Sequence, residues 1–125
     1  YLNHRFSKVP GILPPPADTA KIKSTHHLYL LRIDPSVAGG DVQTLKAKLS
    51  ARGVVNIPHF VPLYKFSIMR QLGYDTRALE RSCPAAETVF TRGFTHLPLY
   101  DFKRADLKYM ADAVIAAVAE MRAGK

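Results

Sequence analysis

The sequence has a single cysteine, Cys83, and no tryptophan among its 125 residues. One cysteine cannot form an internal disulfide, and no other His or Cys stands at zinc-binding spacing from it, so no metal site is predicted. Because proteins without disulfides are typical of reducing compartments, the cysteine content predicts a cytoplasmic protein.

The sequence also lacks long apolar runs. None approaches the roughly 20 residues that a helix needs to cross a bilayer. The first residues, Tyr1 to Arg5, do not have the basic and then apolar layout of a signal peptide. We therefore expect no membrane partner. The chain does not begin with methionine, so Tyr1 is expected to be an internal residue of a longer natural protein.

Basic residues are abundant but not clustered. Eighteen lysines and arginines against ten acidic residues give a formal net charge of +8. A nucleic-acid partner would be expected to need these cations grouped in a patch or stripe. They are instead scattered in pairs along the chain, with no aromatic ladder between them. The charge pattern therefore predicts no nucleic-acid partner.

Local catalytic motifs are absent as well. The sequence contains no GxGxxG, GxxxxGK[ST], GxSxG, HExxH or CxxC pattern. A Cys/His nucleophile pair would require a histidine within hydrogen-bond reach of Cys83, but Cys83 stands at a predicted helix start. The motifs therefore give no catalytic residue in this chain.

What the sequence does have is enough apolar material for one core, since 47% of its residues are hydrophobic. The spacing of Leu2 and Phe6 predicts the end of a helix within residues 1–9. Pro10 to Pro16 contains four prolines, which lack backbone donors and favour extended conformations, so this segment is predicted to be a linker.

Strand-forming and helix-forming segments alternate after this linker. Strands are predicted at 27–33, 54–57 and 94–97. Helices are predicted after the caps Asp41, Ser82 and Asp101, and short helical turns at 66–72. The alternation predicts an α+β (α/β) domain with a small three- to four-stranded sheet covered on one face by helices.

His59 is the histidine that the sequence favours as a functional group. It stands in the segment Pro58-His59-Phe60-Val61-Pro62-Leu63-Tyr64, where prolines stiffen a loop that carries an imidazole, a ring and a phenol. Adjacent His26 and His27 precede a strand and would point to opposite faces, which does not suit a shared metal. His96, flanked by apolar residues, is expected to be a core or sheet-edge histidine.

Several segments taken together resemble the DegT/DnrJ/EryC1/StrS family of sugar aminotransferases. The similar segments stand in the family's order, and no single one is decisive. They are His27-Leu28-Tyr29-Leu30-Leu31-Arg32, Ala51-Arg52-Gly53-Val54, His59-Phe60-Val61-Pro62-Leu63-Tyr64, Cys83-Pro84-Ala85-Ala86-Glu87 and Leu97-Pro98-Leu99-Tyr100.

The resemblance implies a fold like the C-terminal small domain of aspartate-aminotransferase-type (fold type I) enzymes. Residues 1–16 would be the end of an inter-domain helix and a Pro-rich linker, and residues 17–125 the small domain. The parent protein would use pyridoxal 5′-phosphate, held by a lysine and phosphate contacts in a separate large domain. This chain alone would bind no cofactor and would be inactive.

The resemblance also implies partners and a substrate site. The partners would be the large domain, a nucleotide-sugar or cyclitol substrate and a second copy of the parent in a homodimer. His59 matches a histidine near the sugar, and Tyr64 stands where many members have a second histidine. Substrate-binding residues are therefore expected to be His59, Phe60 and Tyr64. An alternative that the sequence leaves open is an autonomous small-ligand or protein-binding module.

Overall fold

The computed structural model describes residues 1–25, 27–57 and 60–124. Three strands lie in this part of the chain: β1 (Ile12–Leu13), β2 (Tyr29–Ile33) and β3 (Phe94–Leu97). The α-helices there are α1 (Leu2–Phe6), α2 (Pro35–Ala38), α3 (Val42–Ser50), α4 (Ser67–Gln71), α5 (Thr76–Ser82), α6 (Pro84–Thr88) and α7 (Arg104–Ala123). A 3₁₀ turn spans Leu63–Lys65 and a π-turn spans Val89–Gly93.

The three strands form one antiparallel sheet in the order β1-β2-β3. Along β2 the buried residues Tyr29, Leu31 and Ile33 alternate with exposed ones, as expected when one face of a sheet meets the core. The α+β class and the small sheet covered by helices are therefore confirmed.

Two helices cover the buried face of the sheet. In α3 the core residues Val42, Leu45 and Leu49 recur every three or four positions, and Asp41 accepts a hydrogen bond from the Thr44 backbone N–H at 3.0 Å. Asp41 is thus the cap that the sequence predicted. The long helix α7 packs along α3 and contributes seven buried residues, Met110, Ala111, Ala113, Val114, Ala117, Val118 and Met121.

The N-terminal segment belongs to the same core. Leu2 and Phe6 of α1 are buried, as their spacing predicted, and Arg5 donates a hydrogen bond to Asp112 of α7 at 2.6 Å. Ile12, within the segment predicted to be a linker, is buried in β1. Proline is tolerated beside it because β1 is an edge strand with one unpaired side.

The strand predicted at 54–57 is wrong. Its only described ladder contact is an isolated bridge in which Ile57 pairs with His96. The backbone at Val54 instead bonds to the Leu49 carbonyl at 3.0 Å, which closes the end of α3. Val54 is therefore buried beside the end of the helix, while Val55 is 67% exposed, and the segment forms no ladder.

Two predicted helix caps are also wrong. Ser82 is the last residue of α5, and its hydroxyl donates to the Leu79 carbonyl at 2.7 Å, while Cys83 caps α6. Helix α7 begins at Arg104, as its apolar spacing predicted, but its N-cap is Lys103, whose N–H donates to Asp106 at 3.0 Å, and not Asp101. The residue that caps a helix depends on where its first turn packs in the fold, and the local sequence does not give that position.

Residues 60–92 form a layer of short helices and turns outside the main core. Among these residues only Tyr64 is buried, and several large apolar side chains are exposed. In the described part of the chain, no helix is long and apolar enough to cross a bilayer.

Candidate functional site

Among the residues predicted for the substrate site, Tyr64 is buried and hydrogen-bonded in the structure. It lies in the 3₁₀ turn, is 8% exposed, and its hydroxyl donates to Glu87 Oε2 of α6 at 3.0 Å. The pKa of Tyr64 is raised to about 12; burial is the largest cause and the hydrogen bond to Glu87 is the second. The phenol therefore keeps its proton at neutral pH.

Lys65 completes a small charged cluster around the same carboxylate. Its Nζ donates to Glu87 Oε1 at 2.6 Å and lies 4.0 Å from Glu80 Oε1. The ammonium also lies 5.8 Å from the centre of the Phe90 ring. The hydrogen bond from Lys65 is the main reason that the pKa of Glu87 is lowered, so this carboxylate is ionised at neutral pH.

A recess of about 340 Å³ adjoins this cluster. Helices α4 and α5 add Arg70, Thr76 and Arg77 to its lining, beside Tyr64, Lys65 and Glu80. The lining offers guanidinium, ammonium and hydroxyl donors with one further carboxylate, which suits a ligand with many hydroxyl groups or negative charge.

The other two residues predicted for the substrate site are His59 and Phe60. His59 lies outside the described residues. Phe60 is 82% exposed. The loop leaves the sheet at Ile57, whose N–H donates to the His96 carbonyl at 2.9 Å, so this end of the loop is anchored to β3.

His96 and Cys83 have the ordinary roles that the sequence favoured. His96 is 4% exposed, and its ring lies 5.5 Å from the Phe94 ring on β3. Cys83 is half-buried beside the Ser82 hydroxyl, with 3.6 Å between oxygen and sulfur. Within the described residues, no group of three or more His, Cys, Asp or Glu side chains could hold a metal ion.

Sequence reasoning missed Glu87, Arg70 and Arg77 as members of the cluster. Glu87 ends the segment Cys83 to Glu87, which resembles the family, but nothing in the local sequence shows that it contacts Tyr64, 23 residues earlier. Arg70 and Arg77 lie in a stretch without clear periodicity, so no signal pointed to them.

A family model, the DegT/DnrJ/EryC1/StrS aminotransferase family, matches residues 1–115. Among solved structures, similar folds include a chain described as "Putative sugar aminotransferase Spr1654 from Streptococcus pneumoniae, PMP-form", at 20% identity and a TM-score of 0.76. Another is the aminotransferase TlmJ from Streptoalloteichus hindustanus, at 25% identity and a TM-score of 0.76. No curated protein sequence matches.

These structural matches cover nearly all of this chain and a minor part of the others. Each covers 96% of this chain, but only 29% of the Streptococcus pneumoniae chain and 30% of TlmJ. The chain thus spans less than a third of the solved structures it resembles.

Proposed function

Because the chain belongs to the DegT/DnrJ/EryC1/StrS aminotransferase family, we propose that it is the C-terminal small domain of a pyridoxal-phosphate-dependent aminotransferase that acts on a keto sugar or related cyclic ketone. The observation that carries the proposal is the family match over residues 1–115. The two solved structures of similar fold, one described as a sugar aminotransferase in a PMP form, support it.

In this proposal residues 17–125 close the substrate pocket and residues 1–16 lead from a large domain. The substrate would be a nucleotide-sugar or a cyclitol, and the parent would be a cytoplasmic homodimer. The bound cofactor would supply the electron sink for amino transfer. The chain's own contribution is to bind and orient the sugar.

Lys65, the lysine that lines the candidate site, does not fit a cofactor-binding role. Lys65 is held by Glu87 at 2.6 Å and faces Glu80, so its amine is committed to ion pairing. A lysine that forms an imine needs a neutral, available amine. We therefore assign the cofactor to the large domain and regard this chain alone as inactive.

Tyr64 has a restricted role in such a pocket. Its O–H donates to Glu87, so toward a substrate the phenol oxygen can only accept a hydrogen bond, for example from a sugar hydroxyl. Because the pKa of Tyr64 is raised to about 12, it would orient the sugar and would not transfer protons near neutral pH. Proton transfer, where the chain supplies it, would belong to His59.

The test uses the full-length protein that carries this chain, its cofactor, and a panel of keto sugars and cyclic ketones with glutamate or glutamine as donor. We expect amino transfer to at least one acceptor. His59→Ala and Tyr64→Phe should each raise the KM for the acceptor by about tenfold, the loss of one polar contact to substrate. The matched controls are His4→Ala and Tyr109→Phe, at exposed positions on α1 and α7.

Two negative results have different meanings. Absence of amino transfer to every acceptor in the panel would overturn the function. Normal amino transfer with unchanged KM in the His59 and Tyr64 variants would keep the function and remove these residues from the substrate site. An unchanged cofactor absorbance spectrum in the variants would verify that the large domain is intact.

A further inference from the structure

A second recess, of about 500 Å³, lies where β1, β2 and the π-turn meet. Its walls are mostly apolar, with Leu13, Ile33 and Val89 among the lining residues. Two arginines, Arg32 and Arg92, also line it. This volume is within the usual range of small-molecule sites, which combine apolar walls with a few polar groups.

The sheet register brings the two arginines to one recess although they are 60 positions apart. Arg32 on β2 is directly opposite Phe94 on β3. The π-turn Val89–Gly93 runs into Phe94, so Arg92 stands two residues before the partner of Arg32. Short π-helical segments are rare and frequently occur at functional sites.

The positive charge of the recess is only partly balanced. Its lining contains two arginines and one aspartate, Asp34, which already accepts hydrogen bonds from the Ser36 N–H at 2.9 Å and hydroxyl at 2.6 Å. Arg32 has one long hydrogen bond, from Nη2 to the Pro14 carbonyl at 3.4 Å.

Arg92 has even fewer interactions. Within residues 1–25, 27–57 and 60–124, no hydrogen bond or ion pair of its guanidinium is observed. The Asp41 carboxylate accepts hydrogen bonds at Oδ1 from the Thr44 N–H and hydroxyl at 3.0 and 3.2 Å, where it caps α3. The pKa of Asp41 is lowered mainly by the Thr44 N–H, and the charge of Arg92 is the smallest of the causes. A guanidinium with free donors beside an apolar wall is suited to a ligand that combines an oxyanion with an apolar body.

We propose that this recess is a binding site for a small molecule that carries a phosphate or carboxylate group, held by Arg32 and Arg92, with its uncharged part against Leu13 and Val89. The recess shares no lining residue with the recess beside Tyr64. Both arginines are exposed, so we expect millimolar affinity for simple anions.

The test is protection of arginines from phenylglyoxal, mapped residue by residue by mass spectrometry on the full-length protein. The probes are inorganic phosphate, phenyl phosphate and benzoate. At ten times the dissociation constant, a bound probe should slow the labelling of Arg32 and Arg92 by about tenfold. Arg81, an exposed arginine on α5 that lines neither recess, is the internal control and should be labelled at an unchanged rate.

Substitutions test whether protection from labelling requires both Arg32 and Arg92. Arg92→Gln should reduce the protection of Arg32 to less than about twofold, because a charge-assisted hydrogen bond contributes about tenfold or more in affinity. Arg81→Gln should leave it unchanged. Protection by phenyl phosphate alone would identify a phosphate ligand, and protection by benzoate alone a carboxylate.

Equal protection of Arg81 would show general attraction of anions to a basic protein and would overturn the site. Failure of all three probes to protect either arginine up to their solubility limits would overturn it as well. Because labelling is read at each arginine, anion binding elsewhere in the protein, including the cofactor's phosphate site, does not affect either outcome.

Discussion

Two buried tyrosines, Tyr29 and Tyr64, have similarly raised pKa values in different surroundings. The pKa values of both Tyr29 and Tyr64 are raised to about 12. For Tyr29 the cause is burial, and its hydroxyl donates to the neutral Asn3 side chain at 2.7 Å. For Tyr64 burial is again the largest cause, but the negative charge of Glu87 adds to it. Only Tyr64 therefore depends on a charged neighbour.

This difference gives a prediction for alkaline pH. Both tyrosines have a folded pKa above the usual value of about 10. They therefore contribute stability that is fully present below pH 10 and is lost as the pH rises toward 12. In Glu87→Gln the pKa of Tyr64 should fall part of the way toward 10, because burial remains, while the pKa of Tyr29 should not change. Titration of the tyrosine ¹³Cζ resonances by NMR measures both in one sample.

The two tyrosines control for each other in that experiment. An unchanged pKa of Tyr64 in the variant would mean that burial alone sets it and that the Glu87 contact is absent in solution. A shift of both tyrosines would indicate a general loosening of the fold rather than the loss of one charge.

At the scale of elements, the contact between α2 and α7 depends on a residue without a side chain. Gly39 ends α2 with φ 87°, a left-handed conformation that other residues adopt with strain. A Cβ at this position would collide with the Met121 carbonyl and lie 2.8 Å from the Arg122 nitrogen, both of them backbone atoms of α7. Neither atom can move without disturbing the helix.

We therefore predict that Gly39→Ala lowers the free energy of unfolding by about 3 kcal/mol or more, from backbone strain plus the collision. The matched control is Gly53→Ala. Gly53 also has a positive φ, 68°, but nothing lies within 4 Å of an added Cβ, so the cost should be the strain alone, about 1 kcal/mol. Urea unfolding followed by circular dichroism measures both. Equal losses in the two variants would mean that α2 and α7 are not in close contact.

Elements with strong local signals could be predicted from the sequence, and those set by distant contacts could not. The spacing of Val42, Leu45 and Leu49 predicted α3, and the strand-forming residues between 27 and 33 predicted β2, because both signals are local. The two residues of β1 pair with Ile33 and Arg32, about 20 positions away. Because prolines also stand close on both sides of β1, no local pattern predicts a strand there.

The same reason limited prediction of the site. Tyr64 was expected in the site from the family resemblance, but its partner Glu87 could not be predicted, because α6 reaches Tyr64 only after the chain has passed through α4 and α5. Likewise, the proximity of Arg32 and Arg92 follows from the pairing of β2 with β3, and the sequence left strand order open.

At the scale of the whole molecule, one segment is rich in exposed apolar side chains. Between residues 60 and 74 the side chains of Phe60, Leu63, Leu72 and Tyr74 are each more than half exposed. Large apolar side chains grouped on a surface commonly mark an interface. In the proposed parent protein, this segment would be covered by the large domain or by a second subunit.

The double variant Leu63→Ser, Leu72→Ser tests that interpretation. In the isolated chain its stability should change by no more than about 0.5 kcal/mol, because neither side chain is in the core, while binding of a fluorescent apolar dye should fall. In the full-length protein the same variant should speed proteolysis between the domains. The control is Ile22→Ser, also strongly exposed but outside the segment. Equal effects of both variants on proteolysis would contradict a specific interface.

The packing of α1 against α7 sets the order in which the molecule can form during synthesis. The hydrogen bond between Arg5 and Asp112 joins residues 107 positions apart, and Leu2 and Phe6 share one core with Val114 and Val118. Until α7 has left the ribosome, the apolar face of the sheet has only α3 to cover it, and α1 lacks the helix that Arg5 joins it to. The core can therefore close only after translation has passed this helix, and until then part of its apolar surface is exposed and prone to aggregation.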